Sequence, residues 1–160
     1  MLNAIRAAVI GLAGMTLSSL AVAQTADMSK FFFGAGLSSN DMSGTDSAVG
    51  WQVFGGYVLG EISPKLFIDA EVGYMDSGDM ERSGGGDVKA NGLWATAVGR
   101  YLVVQNVELL GRIGLDFGDD DGLMAGVGAG FLLNKNMKLR FEYVKRDHLD
   151  SWQFNFVYRP

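Results

Sequence analysis

The side chains best suited to acid–base chemistry lie near the end of the sequence. His148 is the single histidine, and Asp147, Asp150 and Ser151 lie within three residues of it. A serine hydrolase needs a nucleophile, a base within hydrogen-bond reach and an orienting carboxylate. Spacing within one short loop has little specificity for this chemistry, since a polar loop histidine is more often only solvated. We therefore predict that the chain is not an enzyme.

A run of carboxylates is the second chemical candidate. Asp119, Asp120 and Asp121 follow one another, with Asp116 and Gly122 close on either side. Such an oxygen-rich cluster suits a hard cation such as Ca²⁺, but the twelve-residue calcium-loop pattern is missing. A charge run of this kind is usually a solvated loop tip. We predict no metal site and no cofactor here.

Composition removes several other classes. The 160 residues include 23 Gly, 2 Pro and no Cys, and the net charge is −5. The absence of cysteine excludes disulfides, thiolate metal sites and a cysteine nucleophile. Acidic character argues against nucleic-acid binding, which relies on basic patches. The 48% of hydrophobic residues argues against wholesale disorder.

The first 23 residues have the pattern of an export signal. Arg6 supplies a positive start, residues 7–17 are almost wholly apolar, and Ala21 to Ala23 form a small-x-small cleavage site. These features predict a cleaved secretory signal peptide over 1–23 and a mature domain over 24–160. The sequence after residue 23 has no run of about 18 apolar residues, so we predict no transmembrane helix there.

The mature chain alternates with period two, which is typical of strands rather than helices. Eight segments place apolar side chains on one face, and each is near the length that a tilted strand needs to cross a bilayer. The segments begin and end at about 31–37, 49–59, 66–74, 93–103, 107–117, 123–133, 137–143 and 152–158.

The opposite face carries glycine and a balanced set of charges. We predict that these charges form an interior salt-bridge network, because five acids and five bases can pair with one another. The predicted members are Asp69, Glu71, Arg100, Glu108, Arg112, Asp116, Lys138, Arg140, Glu142 and Arg159.

Two barrels fit this pattern. A soluble lipocalin-like barrel would place the apolar face inside around a ligand, but eight strands enclose a space just wide enough for side chains. The many aromatic rings would overfill it. The inverse arrangement fits better, with apolar residues toward lipid, aromatics near strand ends, and glycine with paired charges inside. We predict an all-β, eight-stranded, antiparallel, up-and-down transmembrane barrel.

The predicted connections alternate in length as such a barrel requires. Links at 40–47, 76–87 and 146–151 are long and the one at 118–122 is intermediate, whereas those at 60–64, 104–106 and 134–136 are short. With both termini in the periplasm, the longer links all fall on the outer side. The 76–87 link is polar and glycine-rich, so we expect a mobile loop with few apolar anchors. It is the best candidate to contact a receptor, phage or antibody.

Two stretches resemble a known family. Gly126 to Gly130, leading into the Leu-Arg-x-Glu-Tyr stretch of 139–143, is similar to the sixth and seventh strands of small eight-stranded outer-membrane barrels of the OmpA and OmpX types. Residues 154–160 resemble the closing strand of that family, although Pro160 stands where a terminal aromatic is usual. The resemblance covers about residues 28–160.

The resemblance implies a protein of the bacterial outer membrane with a structural or surface-interaction role, and at most a narrow porin-like conductance. Expected partners are outer-membrane lipid and lipopolysaccharide, the barrel assembly machinery, periplasmic chaperones and a surface ligand or phage. The chain is expected to be a monomer. Pairs between Arg100, Arg112, Lys138 or Arg140 and the interior acids are implied, one of them a candidate gate for small ions. A lipid A-modifying enzyme is the alternative from the same membrane.

Overall fold

The structure is a computed structural model that describes residues 27–82 and 84–160. The predicted signal peptide lies outside the described residues. A short 3₁₀ turn at Met28–Lys30 precedes the sheet. The strands are β1 Phe31–Met42, β2 Ala48–Ser63, β3 Leu66–Asp76, β4 Met80–Glu81, β5 Asp87–Val88, β6 Asn91–Val104, β7 Val107–Asp116, β8 Gly122–Leu132, β9 Met137–Lys145 and β10 Leu149–Tyr158.

Eight of these strands close into one antiparallel barrel in the order β1-β10-β9-β8-β7-β6-β3-β2. The first and last strands close the cylinder through ten paired positions, from Phe33 opposite Tyr158 to Met42 opposite Leu149. The remaining two strands, β4 and β5, form a small separate hairpin. The predicted eight-stranded, up-and-down barrel is confirmed. In the described part of the chain, no helix is long and apolar enough to cross a membrane.

The barrel has two unlike ends. Turns of two to four residues join strands at the end where β1 begins and β10 finishes, which we call the terminal end. At the other end, the loop end, the connections are 43–47, 77–90, 117–121 and 146–148. The first and last of these are shorter than predicted, because β1 and β10 continue to pair as far as Met42 and Leu149.

The apolar side chains of the strands point outward, as the period-two pattern predicted. Large exposed examples include Leu37, Val72, Ile113, Val127 and Phe154. Aromatic rings meet on the outer surface near the loop end, where Trp152 stacks on Phe141 at 5.3 Å between ring centroids. A surface of this kind suits hydrocarbon, whereas a lipocalin-like barrel would have the charges outside.

Large rings also lie inside the barrel, which the sequence analysis did not anticipate. Phe32, Phe54 and Trp94 are buried among the strands. Interior glycines make room for them, since a Cβ atom at Gly34 would collide with the ring of Phe54 and one at Gly73 with the indole of Trp94. The signal was available in the sequence, because all three rings have the interior parity of their strands.

The loop end is covered by the 77–90 connection. Met80 is 0% exposed and packs in one apolar cluster with Met75, Trp94, Met124 and Leu149. As the composition predicted, apolar anchors are few, since Met80 is the one large buried apolar side chain in the described part of this connection. Burial of a large apolar side chain contributes roughly 1.5–3 kcal/mol, which favours the closed position of this connection.

Backbone hydrogen bonds also tie this cover to its neighbours. Thr45 bridges to Arg82, and the Asp46 amide donates to the Glu81 carbonyl at 2.8 Å. These bonds connect the 43–47 and 77–90 connections. The cover is thus a folded element rather than a loose loop.

Candidate functional site: the charged interior

The charged side chains of the lumen come from strands on opposite sides of the barrel. In the closed order, β3 and β9 lie four strands apart, so they face each other across the lumen. Alternate residues of each strand point into the barrel, and this interior parity decides which side chains meet in the lumen. On β3 these are Asp69 and Glu71, and on β9 they are Lys138, Arg140 and Glu142.

Four of these charges form a closed ring in the middle of the barrel, which we call the central ring. It consists of Glu71 from β3, Arg112 from β7 and Arg140 with Glu142 from β9. Arg140 pairs with Glu71 at 2.6 Å and with Glu142 at 3.0 Å between nitrogen and oxygen. Arg112 completes the circuit, pairing with Glu71 at 3.2 Å and with Glu142 at 2.6 Å.

The central ring fills the section of the lumen that it occupies. No side chain in it is more than 1% exposed. The Arg112 guanidinium carbon lies 5.3 Å from the Trp94 ring centroid, and that of Arg140 lies 5.5 Å from the Phe54 ring centroid. Buried charges are costly unless they are paired, and each charge of the circuit lies within ion-pair distance of two charges of opposite sign. Hydrogen bonding is less complete, since Arg112 Nε and Nη1, Arg140 Nε and Glu142 Oε2 have no hydrogen-bond partner among the described residues.

A second group of charges, the terminal cluster, lies nearer the terminal end. The Arg100 guanidinium donates to both oxygens of Asp69 from its Nε and Nη2 atoms, and from Nη1 to Glu108 at 2.9 Å. Lys138 Nζ donates to the other Glu108 oxygen at 2.8 Å. Two acids and two bases again balance.

A third pair lies toward the loop end. Asp116 accepts a hydrogen bond from Arg146 Nε at 2.7 Å, and both side chains are buried. Arg146 was not predicted as a member, although it continues the interior parity of β9. Arg159 was predicted but does not join the lumen, because β10 ends at Tyr158 and the Arg159 side chain is exposed.

Amides and hydroxyls continue the polar column between these groups. Gln52 donates to Gln153 at 2.8 Å and to Asn155 at 2.7 Å, and Asn155 donates to Glu142 at 3.1 Å. Nearer the loop end, Ser151 donates to Asn40 at 2.7 Å. Hydrogen bonds therefore connect buried polar side chains of the lumen that come from β1, β2, β9 and β10.

The predicted acid–base residues are not arranged for catalysis. His148 lies against Asp120, with Nδ1 at 2.8 Å from Oδ1, and its side chain is 77% exposed. Ser151 is fully buried and bonds to Asn40 and Arg146 instead. The serine and the histidine thus have different partners.

The pKa of His148 is raised above its ordinary value by the hydrogen bond to Asp120. The charges of Asp120, Asp147 and Asp121 raise it further. Because Asp120 belongs to the 117–121 loop and His148 to the 146–148 loop, this contact joins two neighbouring loops. We call it the loop clasp.

The aspartate run does not converge on a common point. Asp119 accepts from the Asn91 side chain at 3.0 Å, whereas Asp120 faces His148. Within residues 27–82 and 84–160, no group of three or more His, Cys, Asp or Glu side chains is arranged to hold a metal ion.

Comparison with known proteins identifies the family. The model of the family described as "Outer membrane protein beta-barrel domain" matches residues 10–159. The chain belongs to this family. Its members are barrels of the bacterial outer membrane, and the outward apolar surface and inward charges of this chain have the corresponding arrangement. No curated protein matches the chain.

Several solved structures share the fold at low sequence identity. Ail, the attachment invasion locus protein of Yersinia pestis, is 16% identical with a TM-score of 0.53, over 80% of this chain and 93% of that one. Neisserial surface protein A is 15% identical with a TM-score of 0.53, over 81% and 96%. A de novo designed transmembrane β-barrel is 20% identical with a TM-score of 0.56, over 83% and 97%.

Proposed function

We propose that this outer-membrane barrel has a structural or surface-interaction role and conducts ions poorly or not at all. The observation that carries the proposal is the central ring, since four buried side chains from β3, β7 and β9 occupy the middle of the lumen. An eight-stranded barrel leaves little room beyond its own side chains. The 77–90 cover over the loop end is a second obstruction.

In this proposal the chain is exported through a signal peptide over 1–23 and matures as a barrel domain over 24–160. The terminal end faces the periplasm and the loop end faces outward, which agrees with turns of two to four residues at the first end and with the longer connections 43–47, 77–90 and 117–121 at the second. The partners are membrane lipid and lipopolysaccharide, with assembly machinery and chaperones during insertion. The barrel acts as a monomer and needs no cofactor.

The first test is gel mobility of the detergent-solubilised protein, boiled and unboiled, followed by conductance in planar bilayers. A mobility shift on boiling, with no channel steps in the folded protein, is the expected result. Wide, long-lived channels would contradict a closed lumen.

A narrow gate is the second candidate, favoured by the alternation of charges in the central ring. If the ring gates small ions, Arg112→Ala or Arg140→Ala will raise conductance above that of the wild-type barrel. The matched control is Lys145→Ala, which removes a cation from an exposed pair with Asp150 outside the lumen. Unchanged conductance in a ring variant that still shows the boiling shift would exclude the gate.

A lipid A-modifying activity is the third candidate, and the separate partners of His148 and Ser151 disfavour it. Mass spectra of lipid A from cells with and without the protein test it directly. We expect identical spectra. A change in acyl chains that His148→Ala abolishes would make the protein an enzyme.

A further inference from the structure

A small cavity opens at the terminal end of the lumen, beyond the terminal cluster. It has a volume of about 90 Å³ and lies beneath the turn between β8 and β9. Its inner wall is apolar, formed by Phe32, Val58 and Val157. We call this space the terminal vestibule.

Cations dominate the polar lining of the terminal vestibule. Arg100 and Lys138 line its floor, and Lys135 and Arg159 line its rim, whereas Glu108 is the single acid of the lining. Asp69, just behind, is held by Arg100. Four positive charges therefore face two negative ones.

The hydrogen-bond inventory gives the same imbalance. A guanidinium has five N–H groups and an ammonium has three. Arg100 uses three of its groups on Asp69 and Glu108, and Lys138 uses one on Glu108. Both oxygens of Glu108 are already occupied, so the remaining donors of these two cavity-lining residues have no carboxylate partner among the described residues.

The two rim cations have no counter-ion in the described chain. Lys135 and Arg159 are exposed, and neither takes part in an ion pair with residues 27–82 or 84–160. An apolar wall beside them lowers the local dielectric and strengthens their attraction for an anion. The space thus combines surplus positive charge and spare donors with an apolar wall.

We propose that the terminal vestibule binds a small oxyanion, a phosphate or carboxylate group, between the Lys135 and Arg159 rim and the Arg100 and Lys138 floor. Oxyanions accept several charge-assisted hydrogen bonds at once, as spare guanidinium and ammonium donors offer. The same chemistry comes from two sources, free phosphate in the surrounding water or the headgroup of a phospholipid at the barrel rim. Both place an anion at the same four cations.

Calorimetric titration with inorganic phosphate tests the site, using folded protein in an uncharged sugar detergent. The double variant Lys135→Gln with Arg159→Gln removes the rim charges and leaves the buried pairs intact. We expect saturable binding to the wild type and affinity lower by about tenfold in this variant. The boiling shift on a gel checks that the variant barrel is folded.

The matched control is Lys30→Gln with Lys65→Gln. It removes the same charge from a half-buried residue and an exposed residue at the same end of the barrel, neither of which lines the cavity. Phosphate affinity should stay at the wild-type level. No saturable binding to the wild type, or an equal loss in both double variants, would overturn the proposal, since the second result would indicate only diffuse attraction.

Nanodiscs distinguish the two sources of the anion. Free phosphate is titrated into protein in phosphatidylcholine discs and in discs that also contain phosphatidylglycerol. If the wild type binds phosphate more weakly in the discs that contain phosphatidylglycerol, and the rim double variant binds it equally in both kinds of disc, the occupant is an anionic headgroup. Equal binding in both sets identifies free oxyanion, and the site stands in either case.

Discussion

At the scale of single residues, the central ring is a demanding feature of the sequence. Each arginine contacts two glutamates and each glutamate contacts two arginines. Removal of one member of a buried ion pair leaves an uncompensated charge, which costs about 3–5 kcal/mol in known cases. The exposed Lys145–Asp150 pair, at 3.4 Å, provides a matched comparison.

We predict that Glu71→Gln lowers the free energy of unfolding by about 3 kcal/mol, because Arg112 and Arg140 lose half of their negative partners. Asp150→Asn should cost less than about 1 kcal/mol, since an exposed pair is weak. Urea titration of the refolded barrel in micelles or vesicles measures both. Equal costs for the two variants would mean that burial does not strengthen the ring.

Residue identity predicted much of the interior but not its exact membership. Nine of the ten proposed charges lie in the lumen and take part in ion pairs, because strand parity decides which side a residue faces. Arg159 is the exception, because parity has no meaning beyond the end of a strand. Arg146 was missed for the converse reason, since a loop residue can continue the direction of the strand before it.

At the scale of elements, the 77–90 connection behaves as a lid with one main anchor. Met80, the first residue of the β4–β5 hairpin, inserts into the apolar cluster. Its composition predicts a mobile loop with few apolar anchors, because a single methionine among glycines and acids hardly changes the average. Tertiary contact with Met75, Trp94 and Met124 decided the outcome.

We predict that Met80→Ser releases the lid without opening the barrel. Trypsin should then cleave after Arg82 and Lys89 about tenfold faster, because loss of the buried anchor raises the population of the open loop. Limited proteolysis followed by gel mobility measures this. Met28→Ser, at an exposed methionine outside the barrel, should leave the cleavage rate unchanged. Similar cleavage in both variants would show that the backbone bonds alone hold the lid.

The loop clasp is the element-scale feature that depends on pH. Because folding raises the pKa of His148, the contribution of the clasp is fully present below the ordinary histidine pKa. It is lost as the pH rises through the folded value. We therefore predict that the amides of loops 117–121 and 146–148 are more strongly protected from exchange, relative to their intrinsic exchange rates, at pH 5.5 than at pH 8.5.

Hydrogen exchange with mass spectrometry, corrected for the intrinsic rates, checks this dependence on pH. Asp120→Asn removes the charge and should abolish the difference between the two pH values. Asp46→Asn removes an acid from another loop at the same end and should keep it. A pH effect that persists in Asp120→Asn would assign it to other groups.

At the scale of the whole molecule, charge is separated along the barrel. The segments 41–47, 76–90, 116–121 and 145–150 at the loop end contain twelve acidic and four basic side chains, a net charge of −8. The segments 27–30, 61–65, 133–136 and 159–160 at the terminal end contain two acidic and four basic side chains, a net charge of +2. A surface potential of one sign selects partners of the other sign.

We predict that the folded barrel is not retained on a polyanionic column such as immobilised heparin at low salt, and is retained on polylysine. Retention on polylysine should fall as salt rises, because exposed charges are screened. The double variant Asp119→Asn with Asp121→Asn should elute earlier from polylysine than the wild type. Retention on heparin would show that the basic terminal end dominates binding.

The barrel architecture itself could be predicted from sequence. Period-two alternation indicates strands, and the placement of glycines and charges on the face opposite the apolar residues indicates a barrel with its apolar face outside. Register was harder to predict. The pairing slips between Val58 and Gly60, between Glu61 and Ser63, and between Leu102 and Val104, all near the terminal end. Such bulges depend on the fit between neighbouring strands and leave no periodic mark in one strand alone.

The seam between β1 and β10 has a consequence for the order of events in assembly. The ten positions that join these strands connect residues more than 100 places apart in the chain. Until β10 has been synthesised, β1 presents an unpaired edge, and an unpaired edge is a template for wrong pairing. The cylinder therefore cannot close progressively as the chain emerges. Its completion is a single late event that waits for the last strand, and the growing chain needs protection from other edges until then.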